Sequence, residues 1–361
     1  MLLLVLLLLT LAPGVASGGI SCYDDSGKPV DWFIAYKLPR PRHSPEAEGM
    51  KYMYQDASTQ GWVEGNALMN DTKSAVGRTL QQLYTNKRNG NTAYVLYNDA
   101  PPSAGFYTIA GHTKGVLLLD QAQGFWLLHS TPHYPPSPKE RGYEWPHSGL
   151  RNGQSFLCVT FPYNQFKDIG EHLLYTHPRV YESQLEGPFA QDLPALVNVS
   201  AGRHVRRPPW NHSAHLTSLG GKTFVSFGKY NSFHDDLYSG WLAQALSSDL
   251  YVQFWPNSRG VLPSNCSGRY HVYNIEDVAF PPPGPSFSAT EDHSKWCVGG
   301  DDTASWACVG DMNRNQEEEQ RGGGVLCMQD PAVWKSFHVL VQNYSECDGG
   351  RGEKSKPFPE L

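Results

Sequence analysis

The sequence predicts a mixed α/β protein made of two similar αβ domains that face each other across a pseudo-twofold axis. Its 35 glycines and 27 prolines favour short strands and loops over long helices. A His-x-Lys element occurs in each half, at His112 and at His293, and a tryptophan follows each copy, at Trp126 and Trp306. Two matching copies about half a chain length apart indicate a duplication.

The chain begins with an apolar segment, residues 1–17, that ends in small residues. This pattern is typical of a signal peptide, and the alternative is an uncleaved membrane anchor. A Pro-Gly pair and the short length favour the signal peptide. No later segment is apolar over 18 residues, so we expect an exported protein that does not cross a membrane.

Residue patterns predict the elements that follow. β-Branched and aromatic runs predict strands over 92–98, 114–119, 125–130, 251–255 and 270–275, of which the second and third form a hairpin. Acidic residues ahead of an apolar stripe predict a helix over 235–246. Asp330 is a favourable N-cap, and helical spacing beyond it predicts a closing helix over 331–343.

The repeat also predicts the domain boundaries. It divides the mature chain into an N-terminal half, 18–170, and a C-terminal half, 171–350, followed by a polar, flexible tail, 351–361. Seven residues beyond the two tryptophans stand His133 and Asn313, so His133 is predicted to occupy the place of Asn313.

Cysteines and sequons are consistent with an exported glycoprotein. In an oxidising compartment, seven cysteines predict three disulfides and one free thiol, and the absence of a CxxC pair argues against a zinc site. Five Asn-x-Ser/Thr sequons predict glycans on surface loops. They begin at Asn70, Asn198, Asn211, Asn265 and Asn343.

The charge of the chain indicates acidic working conditions. The formal net charge is −6 with histidine neutral, and protonation of all 14 histidines would bring it to about +8. Such a chain repels a polyanion at neutral pH and attracts one near pH 5. The alternative is that the histidines reflect composition alone. The basic segment 203–207 could contact phosphates or be a solvated loop, and the acidic run 317–319 predicts a solvated face.

The two His-x-Lys elements contain the candidate catalytic groups. Residues two positions apart on a strand share a face, so each element presents an imidazole beside an ammonium. One histidine could attack the phosphorus of a phosphodiester while the other protonates the leaving oxygen. The lysines and Asn313 could stabilise the non-bridging oxygens, so this chemistry requires no metal and no cofactor. A structural role on the surface is the alternative for each histidine.

Six segments distributed over most of the chain share a resemblance with one known family. They are CYDDSGKPVDWFIAYKLP (22–39), GHTKGVLLLD (111–120), DDLYSGWLAQAL (235–246), VLPSNCSG (261–268), EDHSKWC (291–297) and CVGDMNRNQEEEQRGGG (308–324). Together they resemble the deoxyribonuclease II family of the phospholipase D superfamily. The resemblance implies two phospholipase D-like αβ domains that share one active site.

The same resemblance implies an acid endonuclease of low sequence specificity that cuts double-stranded DNA without a divalent metal. It implies a phosphohistidine intermediate and products with 3′-phosphate and 5′-hydroxyl ends. It also implies DNA degradation in lysosomes, which the protein reaches by the secretory pathway, with part of it secreted. Monomer and homodimer both stay open.

The resemblance further assigns roles to individual residues. The catalytic residues that it implies are His112, Lys114, His293, Lys295 and Asn313. Asp311 stands at the serine position of the superfamily's Gly-Ser-x-Asn element, and His129 matches a functionally important histidine. The role of His133 is open, and both histidines could instead be loop residues near the cleft. The implied disulfides are Cys22–Cys158, Cys266–Cys347 and Cys308–Cys327, and Cys297 is left as a free packing residue.

Other function classes stay open beside this one. An exonuclease or a phospholipid hydrolase of the same superfamily would use the same two His-x-Lys elements. A non-catalytic DNA-binding protein would be favoured by the loss of either element, and both are intact. A metal-dependent nuclease would need clustered carboxylates at ligand spacing, which the sequence lacks.

Overall fold

The structure is a computed structural model of the 361-residue chain, and it describes residues 18–85, 90–103 and 109–353. The predicted signal peptide, 1–17, and residues 354–361 of the predicted tail lie outside the described residues. Within the described ranges, no helix is long and apolar enough to cross a membrane.

The described residues form short strands and short helices, as the glycine and proline content predicts. The strands of the first sheet region are β1 (Cys22–Tyr23), β2 (Pro29–Val30), β3 (Trp32–Lys37), β4 (Tyr52–Asp56), β5 (Val63–Glu64), β6 (Ala93–Asn98), β7 (Lys114–Leu119), β8 (Gln123–His129), β9 (Gln154–Pro162) and β10 (Val180–Gln184). Those of the second are β11 (Asn211–Thr217), β12 (Thr223–Lys229), β13 (Leu250–Gln253), β14 (Val272–Ala279), β15 (Ser286–Ser288), β16 (Trp296–Gly299), β17 (Trp306–Gly310), β18 (Gly323–Gln329), β19 (Val341–Ser345) and β20 (Arg351–Glu353). The helices are α1 (Ala75–Thr85), α2 (Phe166–Thr176), α3 (Pro188–Asp192), α4 (Pro194–Ser200), α5 (Ala243–Leu246), α6 (Gln316–Glu319) and α7 (Pro331–His338), and a π-helical turn (Tyr238–Leu242) leads into α5.

Two large sheets correspond to the two halves. The first has the order β10-β6-β7-β8-β9-β3-β4-β5, and the second has the order β11-β12-β18-β17-β16-β13-β14-β19-β20 with β15 paired to β14. The paired strands are antiparallel except for β13 and β14. Strand β10 lies beyond the predicted boundary at residue 170 yet joins the first sheet, so the sheets divide between residues 184 and 211.

The main hydrophobic core lies between the two sheets. Trp126 and Leu117 of the first sheet belong to one buried cluster with Trp296 and Val309 of the second, and helices α2, α4 and α7 contribute to it. A second cluster lies between the first sheet and α1. A third lies between the second sheet and the π-helical turn with α5. This layered packing buries both faces of each sheet and confirms the mixed α/β class.

Most predicted elements are confirmed, and the helices carry the corrections. The five predicted strands overlap β6, β7, β8, β13 and β14. The predicted helix over 235–246 begins only at Tyr238, as the π-helical turn. The predicted closing helix over 331–343 is wrong beyond His338, because Val341 and its neighbours form β19 and pair with β14. A short apolar run has no period that separates a helix end from a strand.

The predicted tail is also partly wrong. Its first residues form β20, which pairs with β19. The Arg351 guanidinium makes an ion pair with Glu276 at 3.1 Å and a second one with Asp277. A polar composition alone therefore does not distinguish a flexible tail from an edge strand that ion pairs hold in place.

The register of the two central hairpins corrects one detail of the internal repeat. Leu117 pairs with Trp126 in the first hairpin, and Val298 pairs with Ala307 in the second. Leu117 and Val298 each lie five residues beyond their histidine, so Trp126 corresponds in space to Ala307. Trp306 is one position away and faces the other side of its sheet. The two hairpins therefore correspond to one another, but Trp126 and Trp306 do not occupy equivalent positions in them.

Three disulfides join the described cysteines. They are Cys22–Cys158, Cys266–Cys347 and Cys308–Cys327, the pairs that the family resemblance implies. Cys297 is free and buried, opposite Cys308 in the register of β16 and β17. Burial raises the pKa of the Cys297 thiol far above its usual range, which suits a packing residue and not a nucleophile.

The five sequons lie at positions with some solvent exposure. Asn70 is exposed, and the other four asparagines are partly exposed. Asn343 donates its side-chain amide to Asp277 at 2.8 Å, so the nitrogen that would carry a glycan there already makes a hydrogen bond within the protein. Glycosylation at all five positions stays a prediction.

Candidate active site

The first His-x-Lys element enters β7 from a segment that is pinned to the second half. The backbone amide of Gly111 donates to His177 at 2.8 Å, and that of His112 donates to Gly322 at 2.8 Å. A Cβ on Gly111 would lie 1.8 Å from the carbonyl oxygen of Thr176, so only glycine fits there. The element therefore lies where the two halves of the molecule meet.

His112 is held by a carboxylate of the second half. Its Nδ1 lies 2.8 Å from Oε1 of Glu318 on α6, and both side chains are buried. A carboxylate only accepts, so this contact places a proton on Nδ1 and leaves the lone pair on Nε2. Burial lowers the pKa of His112, and Glu318 partly opposes this effect.

A chain of buried charges continues from this pair. Arg321 lies 3.4 Å from Glu318 and 3.2 Å from Asp99, and Asp99 also makes a short ion pair with Lys114. Burial alone would raise the pKa of Asp99, but Lys114, His112 and Arg321 outweigh it and hold the pKa well below its usual range. The network therefore fixes the first His-x-Lys element from both halves.

A buried lysine supports the short helix that carries Glu318. The Lys229 ammonium donates to the carbonyl oxygens of Glu318, Glu319 and Arg321 at 2.8, 3.1 and 2.8 Å. These carbonyls lie at the C-terminal end of α6, where a cation is favourable. The prediction that 317–319 is a solvated face is therefore wrong for Glu318, although Glu317 is exposed.

The second His-x-Lys element is held by residues of the first half, just as His112 of the first half is held by Glu318 of the second. The His293 amide donates to the carbonyl oxygen of Gly153 at 2.9 Å, and His293 Nε2 lies 3.2 Å from the side-chain amide of Asn152. The Trp255 ring packs edge-on against the imidazole with ring centroids 3.9 Å apart. Lys295 donates its ammonium to the His293 carbonyl at 2.7 Å.

A buried polar cluster underlies this element. Asp292 accepts hydrogen bonds from Tyr36 and from Ser294, the latter at 2.7 Å. Lys37 donates to the carbonyl oxygens of Leu150 at 2.9 Å and Asn152 at 2.6 Å, which positions the loop that contacts His293. Burial lowers the pKa of the Lys37 ammonium to about 7.

The charges of the two elements act on one another. The pKa of His293 lies well below its usual range because of burial first, and then because of Lys295, Lys114 and His112. Burial and Lys114 also lower the pKa of Lys295 to about 8. Two ammonium groups and two imidazoles therefore share one site that favours an anion over a proton.

Asn313 and Asp311 follow β17 and lie beside this site. Asn313 is buried, and its side-chain oxygen accepts from the Trp255 amide at 3.1 Å. Asp311 accepts from the Thr113 hydroxyl at 2.6 Å, which links it to the first His-x-Lys element. Burial raises the pKa of Asp311 to about 7, against the opposing effects of Thr113 and Lys114.

Replacement of Asp311 by asparagine is expected to flatten the pH dependence of stability. Because folding raises the pKa of Asp311, its stabilising contribution to the free energy of unfolding is fully present below about pH 4. This contribution is lost as the pH rises through about 7. When the pH is raised from 5 to 7, this group should lower the free energy of unfolding by about 2–3 kcal/mol. Urea unfolding of Asp311→Asn at both pH values should show a smaller fall than wild type. The exposed Asp302→Asn is the control, and an unchanged fall in Asp311→Asn would contradict the assignment.

His129 and His133 occupy different settings. His129 is buried, stacks on Phe156, and has its pKa lowered to about 3 by burial first and Lys114 second. Its Nε2 has no hydrogen-bond partner among the described residues. His133 is partly exposed and lies 2.9 Å from the Pro101 carbonyl. The hairpin registers place Ala307, and not Trp306, at the position of Trp126, so the tryptophan spacing behind the pairing of His133 with Asn313 is off by one residue. The role of His133 stays a prediction.

Sequence reasoning missed four residues of the site: Asp99, Asn152, Trp255 and Glu318. The Asn315 side chain accepts from the Glu318 amide at 3.0 Å, and an asparagine three residues before a glutamate is a recognisable helix start. That signal predicts α6 but not the contact of Glu318 with His112. The other three residues come from separate loops and have no local signal.

Comparison with known proteins places this arrangement in a family. The family model described as Deoxyribonuclease II matches residues 21–347. The chain is 53% identical to Deoxyribonuclease-2-alpha of Bos taurus over 95% of this chain and 94% of the relative. It is 42% identical to Deoxyribonuclease-2-beta of Homo sapiens, over 95% and 96%. It is 40% identical to Plancitoxin-1 of Acanthaster planci, over 95% and 97%.

Proposed function

Because this chain belongs to the deoxyribonuclease II family, we propose that it is an acid endonuclease that hydrolyses DNA phosphodiester bonds with its two His-x-Lys elements. The supporting observation is that each histidine is held by groups of the opposite half, so both elements enter one electrostatically coupled site. A phosphodiester monoanion is the ligand that two ammonium groups and two imidazoles favour.

Lys114 and Lys295 bind the non-bridging oxygens of the scissile phosphate. Both are buried, so their charges act in a medium of low polarity, where they stabilise developing negative charge strongly. Asn313 is held by the Trp255 amide, next to the ring that packs on His293, and its own amide nitrogen is a further donor. These groups perform the charge stabilisation that a divalent metal supplies in other nucleases.

His112 is the nucleophile. Its Nδ1–H donates to Glu318, which leaves the Nε2 lone pair free to attack phosphorus. A bond forms between Nε2 and phosphorus while the bond from phosphorus to the 5′ oxygen breaks. The imidazolium that results keeps its contact with the buried Glu318 carboxylate, which stabilises the phosphohistidine.

His293 is the general acid and then the general base. Burial first, and then the neighbouring lysines and His112, lower the pKa of His293. A bound phosphate offsets the effect of these cations and raises the pKa of His293, which favours a proton on Nε2 at acidic pH. His293 gives this proton to the leaving 5′ oxygen. It then removes a proton from water, whose oxygen attacks phosphorus and releases His112. The products are a 3′-phosphate and a 5′-hydroxyl, and His293 is protonated again.

The same proposal includes the place of action. The formal charge of −6 becomes more positive as histidines are protonated, so DNA binding strengthens in an acidic compartment. Together with the predicted signal peptide and sequons, this supports a lysosomal protein that travels through the secretory pathway.

Supercoiled plasmid tests the proposed activity directly. At pH 5 with EDTA present, the protein should convert supercoiled plasmid to open circles and then to linear DNA, because its own lysines replace the metal. At pH 8 the rate should be at least about tenfold lower, since His293 is then unprotonated. His112→Ala is the inactive control. Nicking that requires Mg²⁺, or degradation only from the ends of linear DNA, would contradict the proposal.

A further inference from the structure

A large cavity lies beside the residues that contact His293, and its lining includes none of Glu318, Asp99 and Arg321, which surround His112. Its volume is about 870 Å³, and both halves of the molecule line it. Asn152 and Trp255 form part of its wall, and these are the two residues that contact the His293 imidazole. The cavity therefore borders the two side chains that hold the proposed general acid.

The wall of this cavity is predominantly cationic. Arg40, Arg42 and Arg151 line it against one carboxylate, Glu291, and His43 and His147 add positive charge when they are protonated. Arg40 is already engaged, because its guanidinium donates to the Ser44 carbonyl at 2.9 and 2.7 Å.

Two of these arginines are available for an external anion. Arg42 and Arg151 are exposed, and neither guanidinium has a hydrogen bond or ion pair within the described ranges. They share the cavity wall with Trp255, and guanidinium groups bind phosphates while aromatic rings stack on bases.

We infer that this cavity binds the DNA strand on the 5′-hydroxyl side of the cleaved bond, with Arg42 and Arg151 on its phosphates. The inference rests on the proposed function, in which His293 protonates the leaving 5′ oxygen. The nucleotides attached to that oxygen must lie on the His293 side of the phosphate, and the cavity shares Asn152 and Trp255 with that side. The nucleotides on the other side stay attached to phosphorus and therefore to His112.

Short oligothymidylates with one native phosphodiester test this polarity. All other links are phosphorothioates, which keep the negative charge and resist cleavage. One series is extended by one to four nucleotides on the 3′ side of the native link, and the other series on its 5′ side. In wild type, 3′ extension should raise kcat/KM about tenfold or more. In Arg42→Ala with Arg151→Ala, that gain should fall below about threefold, while the gain from 5′ extension should match wild type.

The matched control is Lys73→Ala with Arg269→Ala, which removes two exposed charges that do not line the cavity and should keep both gains. A double variant that loses only the gain from 5′ extension would overturn the assigned polarity. A variant that keeps both gains would overturn the role of the cavity. Absence of cleavage by the wild-type protein in every oligonucleotide would instead count against the proposed function, so the two failures are distinguishable.

Discussion

His112→Ala is expected to abolish turnover of DNA. His293→Ala should also lose activity on DNA, but on a substrate whose leaving group needs no proton it should complete the first chemical step and then stop. Removal of the nucleophile leaves no route to the phosphohistidine, so the rate of His112→Ala should fall by at least ~10³-fold. His293→Ala should lose a comparable factor on DNA, because the 5′ oxygen is a poor leaving group without a general acid.

Thymidine 3′-(p-nitrophenyl phosphate) separates the two roles. p-Nitrophenolate leaves without a proton, so His293→Ala should release about one equivalent of it in a burst and then stall. The stalled protein should contain a phosphohistidine at His112, which mass spectrometry of the peptide would locate. His112→Ala should give no burst. The exposed His215→Ala is the control for substitution of a histidine. A burst from His112→Ala would reverse the assignment, and full DNA cleavage by either variant would refute the two-histidine mechanism.

Glu318→Gln is expected to lower kcat on the order of 10²–10³-fold while the protein still folds. The carboxylate fixes the proton on Nδ1 of His112 and stabilises the imidazolium of the intermediate, and a neutral amide does neither well. Glu318 also raises the pKa of His112 against the effect of burial. Its removal should therefore move the acidic limb of the kcat/KM profile to lower pH, because His112 then stays neutral at lower pH.

The shift of the pH profile distinguishes this positioning role from a purely structural one. Glu317→Gln is the matched control, because Glu317 lies on the same helix and is exposed. Glu318→Asp should recover part of the lost kcat, since a carboxylate is retained. Melting curves at pH 5 would show whether each variant is folded. A folded Glu318→Gln protein with kcat within about threefold of wild type and an unshifted profile would contradict the role of Glu318.

Local patterns of the sequence predicted much of this molecule. The strands 92–98 and 114–119 follow from runs of β-forming residues, and the N-cap at Asp330 follows from the geometry of a helix start. Two His-x-Lys elements at the entrances of two strands identified the candidate catalytic groups. Each of these signals lies within a few consecutive residues, because propensity, capping and strand alternation act over that distance.

Only the tertiary structure decided which residues support those groups. Glu318 reads in the sequence as one member of a solvated acidic run, and burial against His112 becomes evident only when the two halves pack together. The one-residue offset between Trp126 and Trp306 depends on strand register, which long-range pairing sets. The segment Arg40–His43 and Arg151 are far apart in the chain, and no local pattern places them in one cavity. Electrostatic and packing contacts between distant segments depend on the arrangement of the whole chain, so a sequence pattern names the reacting groups but not their surroundings.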